Sequence, residues 1–315
     1  MELATKFKVH HYFNDKSHTL DAFIKNKAEI EFLSIVSEVA NILSISCKLE
    51  AEAVKEGSFV EIWTFLGESA EQINLLISVL TLILTISQSD DRETSELKKE
   101  NLKLSVEERK LRINRLKKEI LVSKEKNVQK RLVDDILHTN HKVVTRRSNY
   151  YKNISHVEKI RSVAFSKLDK TSKEISKEKN IYRENFKDFI VENDNLPAEI
   201  LERVELEIVA PVLNYQKNAK WRAIYNEQNI SFSMNDNIFK QDVFNQKILF
   251  TNGTILVCDL KIIRKVNELG EIIVAAYAVE QVHEHITSGI RKETRSAKTN
   301  RQIKNFKNSQ GDLFS

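Results

Sequence analysis

At 315 residues, with 41% hydrophobic and 30% charged side chains, the chain has the make-up of a folded protein with room for two or three modest domains. Its 50 basic and 45 acidic residues leave a net charge of only +5, which excludes a global nucleic-acid signature and sends any such binding to local clusters. Cys47 and Cys258 lie far apart without partners at metal-site spacing, which argues against a disulfide framework and fits a reducing cytoplasm.

Six Gly and two Pro favour helices and regular strands over long irregular loops. The opening MELATKFKVHHYF has no uninterrupted apolar region or cleavage signal, so export through a signal peptide is not indicated. Lys6 to Phe13 reads as a strand, and a helical pattern with Phe32, Val36, Val39 and Leu43 on one face follows Asp21. Ile45 to Val54 and Phe59 to Leu66 alternate around Lys55-Glu56-Gly57-Ser58, a hairpin signal. Residues 1–66 are thus expected to form a small βαββ domain, with Trp63 and Phe65 in its core.

Within residues 67–92 lies Ile73 to Ile86, INLLISVLTLILTI, a run without charge or breaker. As a helix it would be about 21 Å long against a hydrocarbon core of about 30 Å, short for a membrane span. Its apolar residues, Ile73, Leu76, Leu80 and Ile83 among them, occur all round the helix, so lipid or other helices should surround it. Asn74, Ser78, Thr81 and Thr85 would then be polar contacts between protomers. An excess of basic residues after the run gives a membrane reading one further support, by the positive-inside rule. Oligomerisation and membrane insertion both stay open at this point.

From Glu93 to about His138 no Gly or Pro occurs, and Lys, Arg and Glu dominate, which predicts one long charged helix over residues 93–140. Val106, Ile113 and Ile120, with Leu102 and Leu116, form a heptad seam interrupted by Arg109; Leu97, Leu104 and Leu111 form a second stripe. Residues 141–283 return to globular patterning. Strands are expected at Ile160 to Leu168, Val204 to Leu213, Lys220 to Tyr225, Asn229 to Met234, Lys247 to Phe250, Thr254 to Arg264 and Glu271 to Val282. A short helix at Arg183 to Val191, another capped by Asn235-Asp236, and hairpins marked by Asn252-Gly253 and Leu269-Gly270 complete a mostly-β domain. Residues 284–315 read as a disordered basic tail. The fold class is α+β.

Lys99 to Ile120 (KENLKLSVEERKLRINRLKKEI) and Lys220 to Phe244 (KWRAIYNEQNISFSMNDNIFKQDVF), followed by FTNG, resemble a widespread family of poorly characterised bacterial proteins. The resemblance runs from the apolar segment to Val282 and implies a self-assembling or membrane-acting protein, with antiphage-defence effectors among proteins of similar architecture. It supplies no catalytic motif.

Three further features bear on partners. Lys220, Trp221 and Arg222 could meet nucleic acid on a β platform, together with Arg291, Lys292 and Arg295 of the tail; core packing of Trp221 is the blander account. The end of the chain, with Gln310, Leu313 and Phe314, resembles the peptide by which bacterial polymerases and repair proteins dock on the DNA sliding clamp. His283 and His285 share a strand face but lack further metal ligands nearby, and no phosphate loop or nucleophile constellation is discernible. The expectation is a non-enzymatic, cofactor-free, metal-free homo-oligomer, cytoplasmic and peripheral to or inserted at the inner membrane, acting as an effector there. The alternative is a DNA-maintenance accessory that docks on the clamp and binds nucleic acid.

Overall fold

The computed structural model describes residues 3–15, 19–52, 59–87, 106–123, 126–191, 195–214 and 219–311. The chain is mixed α+β and divides into two compact units, residues 1–193 with 268–271, and residues 194–267 with 272–315.

The first unit is built on an antiparallel sheet in the order β2-β3-β1-β4-β5, from β1 (Lys6–Phe13), β2 (Lys48–Ala51), β3 (Phe59–Leu66), β4 (Ile160–Leu168) and β5 (Lys179–Tyr182). The expected βαββ element therefore does not stand alone, because β1 takes β4 as its second neighbour from more than 140 residues downstream. Alternation on β1 decides the layers: Phe7 and Val9 face a helical layer, while Lys6, Lys8, His10 and Tyr12 face outward. Phe32 of α1 (Ala22–Ile42) stacks on Phe7 and meets Trp63, each at 5.6 Å between centroids. Asp21 caps that helix through two backbone N–H groups.

The apolar run forms α2 (Ala70–Thr85), capped by Ser69. Ile73, Leu76, Leu80 and Ile83 are each at most 2% exposed within this single chain, so their burial is accounted for without lipid or a second copy. The polar residues expected between protomers are also satisfied internally. Asn74 accepts from the Ala4 N–H at 3.1 Å, Ser78 from the Lys167 ammonium at 3.2 Å, and the Thr81 and Thr85 hydroxyls donate to carbonyls one turn back. Among the described residues no helix is long and apolar enough to cross a membrane.

The breaker-free charged stretch predicts one long helix; the structure has two in its described part, α3 (Val106–Ser123) and α4 (Lys126–Thr139). Ion pairs Arg112–Asp135 at 2.8 Å and Glu119–Arg131 at 3.6 Å, with residue order reversed, set them antiparallel. Leu116 and Ile120 are buried and Ile113 half-buried in the unit's own core, whereas Leu111 of the second stripe is exposed. The seam thus faces its own chain. Val106 opens α3, while Leu97, Leu102 and Leu104 lie outside the described residues. A further helix, α5 (His141–Ser155), occupies sequence expected to begin the β domain, and a 3-10 helix follows β5 at Arg183–Phe189.

The second unit holds β6 (Glu199–Ala210), β7 (Trp221–Tyr225), β8 (Gln228–Met234), α6 (Asn237–Phe244), β9 (Ile255–Val266) and β10 (Ile272–Thr287). Strands pair in the order β6-β7-β8-β10-β9, and β9 pairs back on β6, closing a five-stranded barrel. Every pairing is antiparallel except β8 with β10. Lys247 to Phe250, expected as a strand, is irregular, and Asn252-Gly253 leads from it into β9 without forming a hairpin. The tail is ordered as far as it is described: β11 (Ile290–Glu293) pairs with β10, and α7 (Arg295–Gly311) follows. The basic composition that reads as disorder is carried here on a helix, which needs no apolar face all round when one end is anchored.

Candidate nucleic-acid interface

The barrel determines which side chains of the basic β7 segment reach solvent. Trp221 and Ala223 point inward with Ile230, Phe232 and Met234 of β8, and Trp221 meets Phe232, Phe239 and Phe250 at 5.5–6.3 Å. At 2% exposure Trp221 is core and offers no stacking surface. Period-two alternation then sends Lys220 and Arg222 outward. Lys220 donates to the Ser233 hydroxyl at 2.5 Å, and Arg222 stands exposed in register with Ser231. Neither β7 nor β8 contains a carboxylate, so the outer face of this pair presents cations, hydroxyls and the Asn229 amide.

A second basic region surrounds a bulge. Between Leu201 and Val204 strand β6 slips register, and Arg203 adopts φ +53°, a left-handed conformation costly for a side chain of this kind. What holds it is its N–H, which donates to Asp259 Oδ1 at 3.0 Å; His283 Nε2 lies 2.7 Å from the same oxygen. The Arg203 guanidinium bonds Glu284, which Arg291 also contacts at 2.9 Å, and these two hydrogen bonds hold the Glu284 carboxyl below its usual range. Arg291 reaches Glu205 as well, at 3.2 Å, and Arg301 pairs with Glu293. Arg203, His283, Glu284, Arg291, Glu293 and Arg301 line a cavity of about 410 Å³ with Asn300. Carboxylates here nearly match the arginines in number, so the cavity is an ion-pair network more than an anion trap.

The arm beyond this network is anchored at its start. Thr294 donates to the Val282 carbonyl at 2.5 Å and accepts from the Ala297 N–H, capping α7. Arg295 is committed to the buried Asp242 carboxylate at 3.0 Å. Lys292 and Lys298 remain exposed. Between Arg291 and Gly311 stand seven basic residues and one acidic.

Of the six residues singled out for nucleic acid, the structure thus leaves Lys220, Arg222 and Lys292 facing solvent, half-commits Arg291 to carboxylates, uses Arg295 as an anchor and buries Trp221. Gln310 belongs to the last turn of α7, and Leu313 and Phe314 lie outside the described residues. His283 and His285 turn to Asp259 and Thr287, and among the described residues no group of three potential metal ligands converges. Burial pushes the Cys258 thiol far up, so it supplies no nucleophile near neutrality. Sequence reasoning missed Arg203, whose bulge is set by pairing with β9 and has no local signal.

Five strands joined in the order first-second-third-fifth-fourth-first, a parallel contact between third and fifth, a bulged first strand and a helix between third and fourth give the connectivity of an OB-fold barrel. No family model, curated protein or solved structure matches the chain.

Proposed function

We propose that the chain is a non-enzymatic nucleic-acid-binding protein whose second unit grips the phosphate backbone. The observation that carries this is the outer face of β7 and β8, whose strand residues include no carboxylate and where Arg222, with Lys220 just before β7, stands on the strand pair that OB barrels use for oligonucleotides; the nearest carboxylates are Glu227 in the joining turn and Glu207 opposite Ile224. Lys292 and the helix α7 extend the positive charge. Because Trp221 and Phe232 are buried and Tyr225 packs half-buried against the core, contacts are made chiefly to phosphates and carry little base readout. The reading displaces a membrane effector because α2, the motive for that idea, has its surroundings within its own unit.

The test is fluorescence anisotropy with labelled single-stranded and duplex oligonucleotides across a salt series. Each phosphate contact should contribute about −0.7 to the log–log salt slope on single strands. Lys220→Ala and Arg222→Ala together should weaken binding roughly tenfold or more and flatten the slope by about 1.4. No binding at about 50 mM salt, or binding indifferent to both substitutions, would overturn the proposal. Mass measurement with and without detergent discriminates the membrane reading, which requires a detergent-dependent assembly.

A further inference from the structure

The cavity beside the β6 bulge offers what the β7 and β8 face lacks, a place where a base can be read, and this inference rests on the nucleic-acid reading above. At about 410 Å³ it falls within the size range of small-molecule pockets. Four elements of the second unit meet there: Arg203 comes from the bulge in β6, Gln281 and Glu284 from β10, Arg291 from β11, and Asn300 with Arg301 from α7. Arg203 lines the cavity from a left-handed backbone, and strain of this kind concentrates at ligand sites.

The charges of the lining nearly cancel. Arg203, Arg291 and Arg301 stand with Glu284 and Glu293, while Glu205 holds Arg291 from outside the lining. An anion therefore gains little there, and a neutral ligand with donors and acceptors of its own is the better match. The capacity to bind one is not used up. Glu284 accepts from Arg203 at Oε1 and from Arg291 at Oε2, which leaves a further lone-pair site on each oxygen. An arginine has five N–H donors, and among the described residues Arg203 spends its guanidinium on Glu284 alone, with more than half of its side chain exposed. Guanine has the edges for such a pair. Its O6 and N7 are adjacent acceptors suited to an arginine fork, and its N1–H and N2 amine are adjacent donors suited to a carboxylate. No other standard base has both. Bases splayed out of single strands are read on these edges and stack on guanidinium planes. We propose that this cavity takes a guanine base from a single strand lying on the barrel, with its N1 and N2 hydrogens on Glu284 and its O6 and N7 on Arg203.

The experiment uses the full chain and fluorescence anisotropy at about 50 mM salt. The probes are thymine-only oligonucleotides of about twelve nucleotides, within the span of one barrel, and the same oligonucleotides carrying one central guanine. The guanine should tighten binding roughly fivefold or more. A guanine analogue with carbon in place of N7, or hypoxanthine, which lacks the N2 amine, should each lose most of that gain. Glu284→Gln should abolish it. Arg203→Gly should do the same, and because glycine accepts the backbone conformation at this position, the variant keeps the bulge if loss of the Glu284 carboxylate unsettles the fold. Lys220→Ala with Arg222→Ala should weaken both oligonucleotides equally and leave their ratio unchanged. Equal affinity for the two oligonucleotides, or a gain that survives Glu284→Gln and Arg203→Gly, would overturn the guanine site and leave the barrel reading standing; binding of neither would overturn the barrel reading and the site with it.

Discussion

The contact most open to a quantitative challenge is the one that ends α2. Arg147 of α5 has no exposed surface, and its Nη1 donates to the carbonyls of Ile83 and Ile86, both at 3.1 Å, while its guanidinium lies 5.5 Å from the Phe189 ring centroid. Tyr151 of the same helix donates to the Leu84 carbonyl. These are among the last carbonyls of the helix; those of Ile83 and Leu84 are buried and that of Ile86 is partly so. Burial lowers the Arg147 pKa to about 10, so the side chain is still a cation at neutral pH. Arg147→Ala leaves the buried Ile83 carbonyl without this donor, at about 1–3 kcal/mol, and the half-buried Ile86 carbonyl at less, and adds a cavity; relief of the charge's own desolvation offsets part of this. The expected net loss is about 3–5 kcal/mol. Arg147→Met keeps most of the volume and removes the charge, and should cost about 1–2 kcal/mol. Trp63 and Trp221 lie in different units, so in a Trp221→Phe background the fluorescence of Trp63 reports the first unit during urea unfolding. An alanine variant within about 1 kcal/mol of its parent, at unchanged m value, would refute the capping role.

Two further expectations concern buried carboxyls. Asp236 accepts from the Phe239 N–H at 2.9 Å and from the Val282 N–H at 2.8 Å, capping α6 and tying it to β10; Asp236→Ala should destabilise the second unit by about 2–4 kcal/mol in urea titrations, and Asn should recover part of that. Burial raises Glu61 from 4.5 to about 7, outweighing the Lys25 ammonium 3.6 Å away. Its folded form binds a proton that the unfolded chain has released, so its contribution is full below pH 4.5 and is lost as pH rises to 7. Glu61→Gln should therefore gain on the parent across that window by about 3 kcal/mol in unfolding free energy; a difference flat with pH would contradict the assignment. His11, lowered by burial to about 4, slopes the other way and cancels in the comparison.

How far the fold could be read from residues depended on whether the signal was local. Strands β1, β3, β4, β7, β8 and β9 follow from alternation, and Asp236 as a cap follows from its place before Phe239 and Val243. Helix α5 was hidden by one residue. Its buried stripe, Val143, Arg147, Tyr150, Tyr151 and Ile154, has helical spacing only if a charged side chain is allowed on the core face. Composition misled at α7, where few apolar residues read as disorder although Ser296 and Ala297 are buried. Closure of the barrel had no local signal at all, because the pairings of β6 with β9 and β8 with β10 join residues up to about 60 positions apart. Of the candidate contacts, Trp221 was ambiguous until its neighbours Phe232, Phe239 and Phe250 were assembled around it.

An apolar helix of sixteen residues is equally at home in lipid, in an oligomer or in a core, and only the groups at its ends and on its polar stripe tell these apart. Here the stripe is matched by Ala4, Lys167 and the helix's own carbonyls, and the C-terminal end by Arg147 and Tyr151. A helix meant for lipid gains nothing from a buried guanidinium placed on its last turn by a segment more than 50 residues away. The energetics point the same way. Eight apolar side chains of α2 are buried, and at about 2 kcal/mol each their exposure to water would cost on the order of 16 kcal/mol. That exceeds the usual 5–15 kcal/mol that holds a domain folded. The run could leave its place only by exchanging one apolar surrounding for another while breaking the Arg147 and Tyr151 bonds, so any activity requiring its release must supply both the new surface and the cost of the caps.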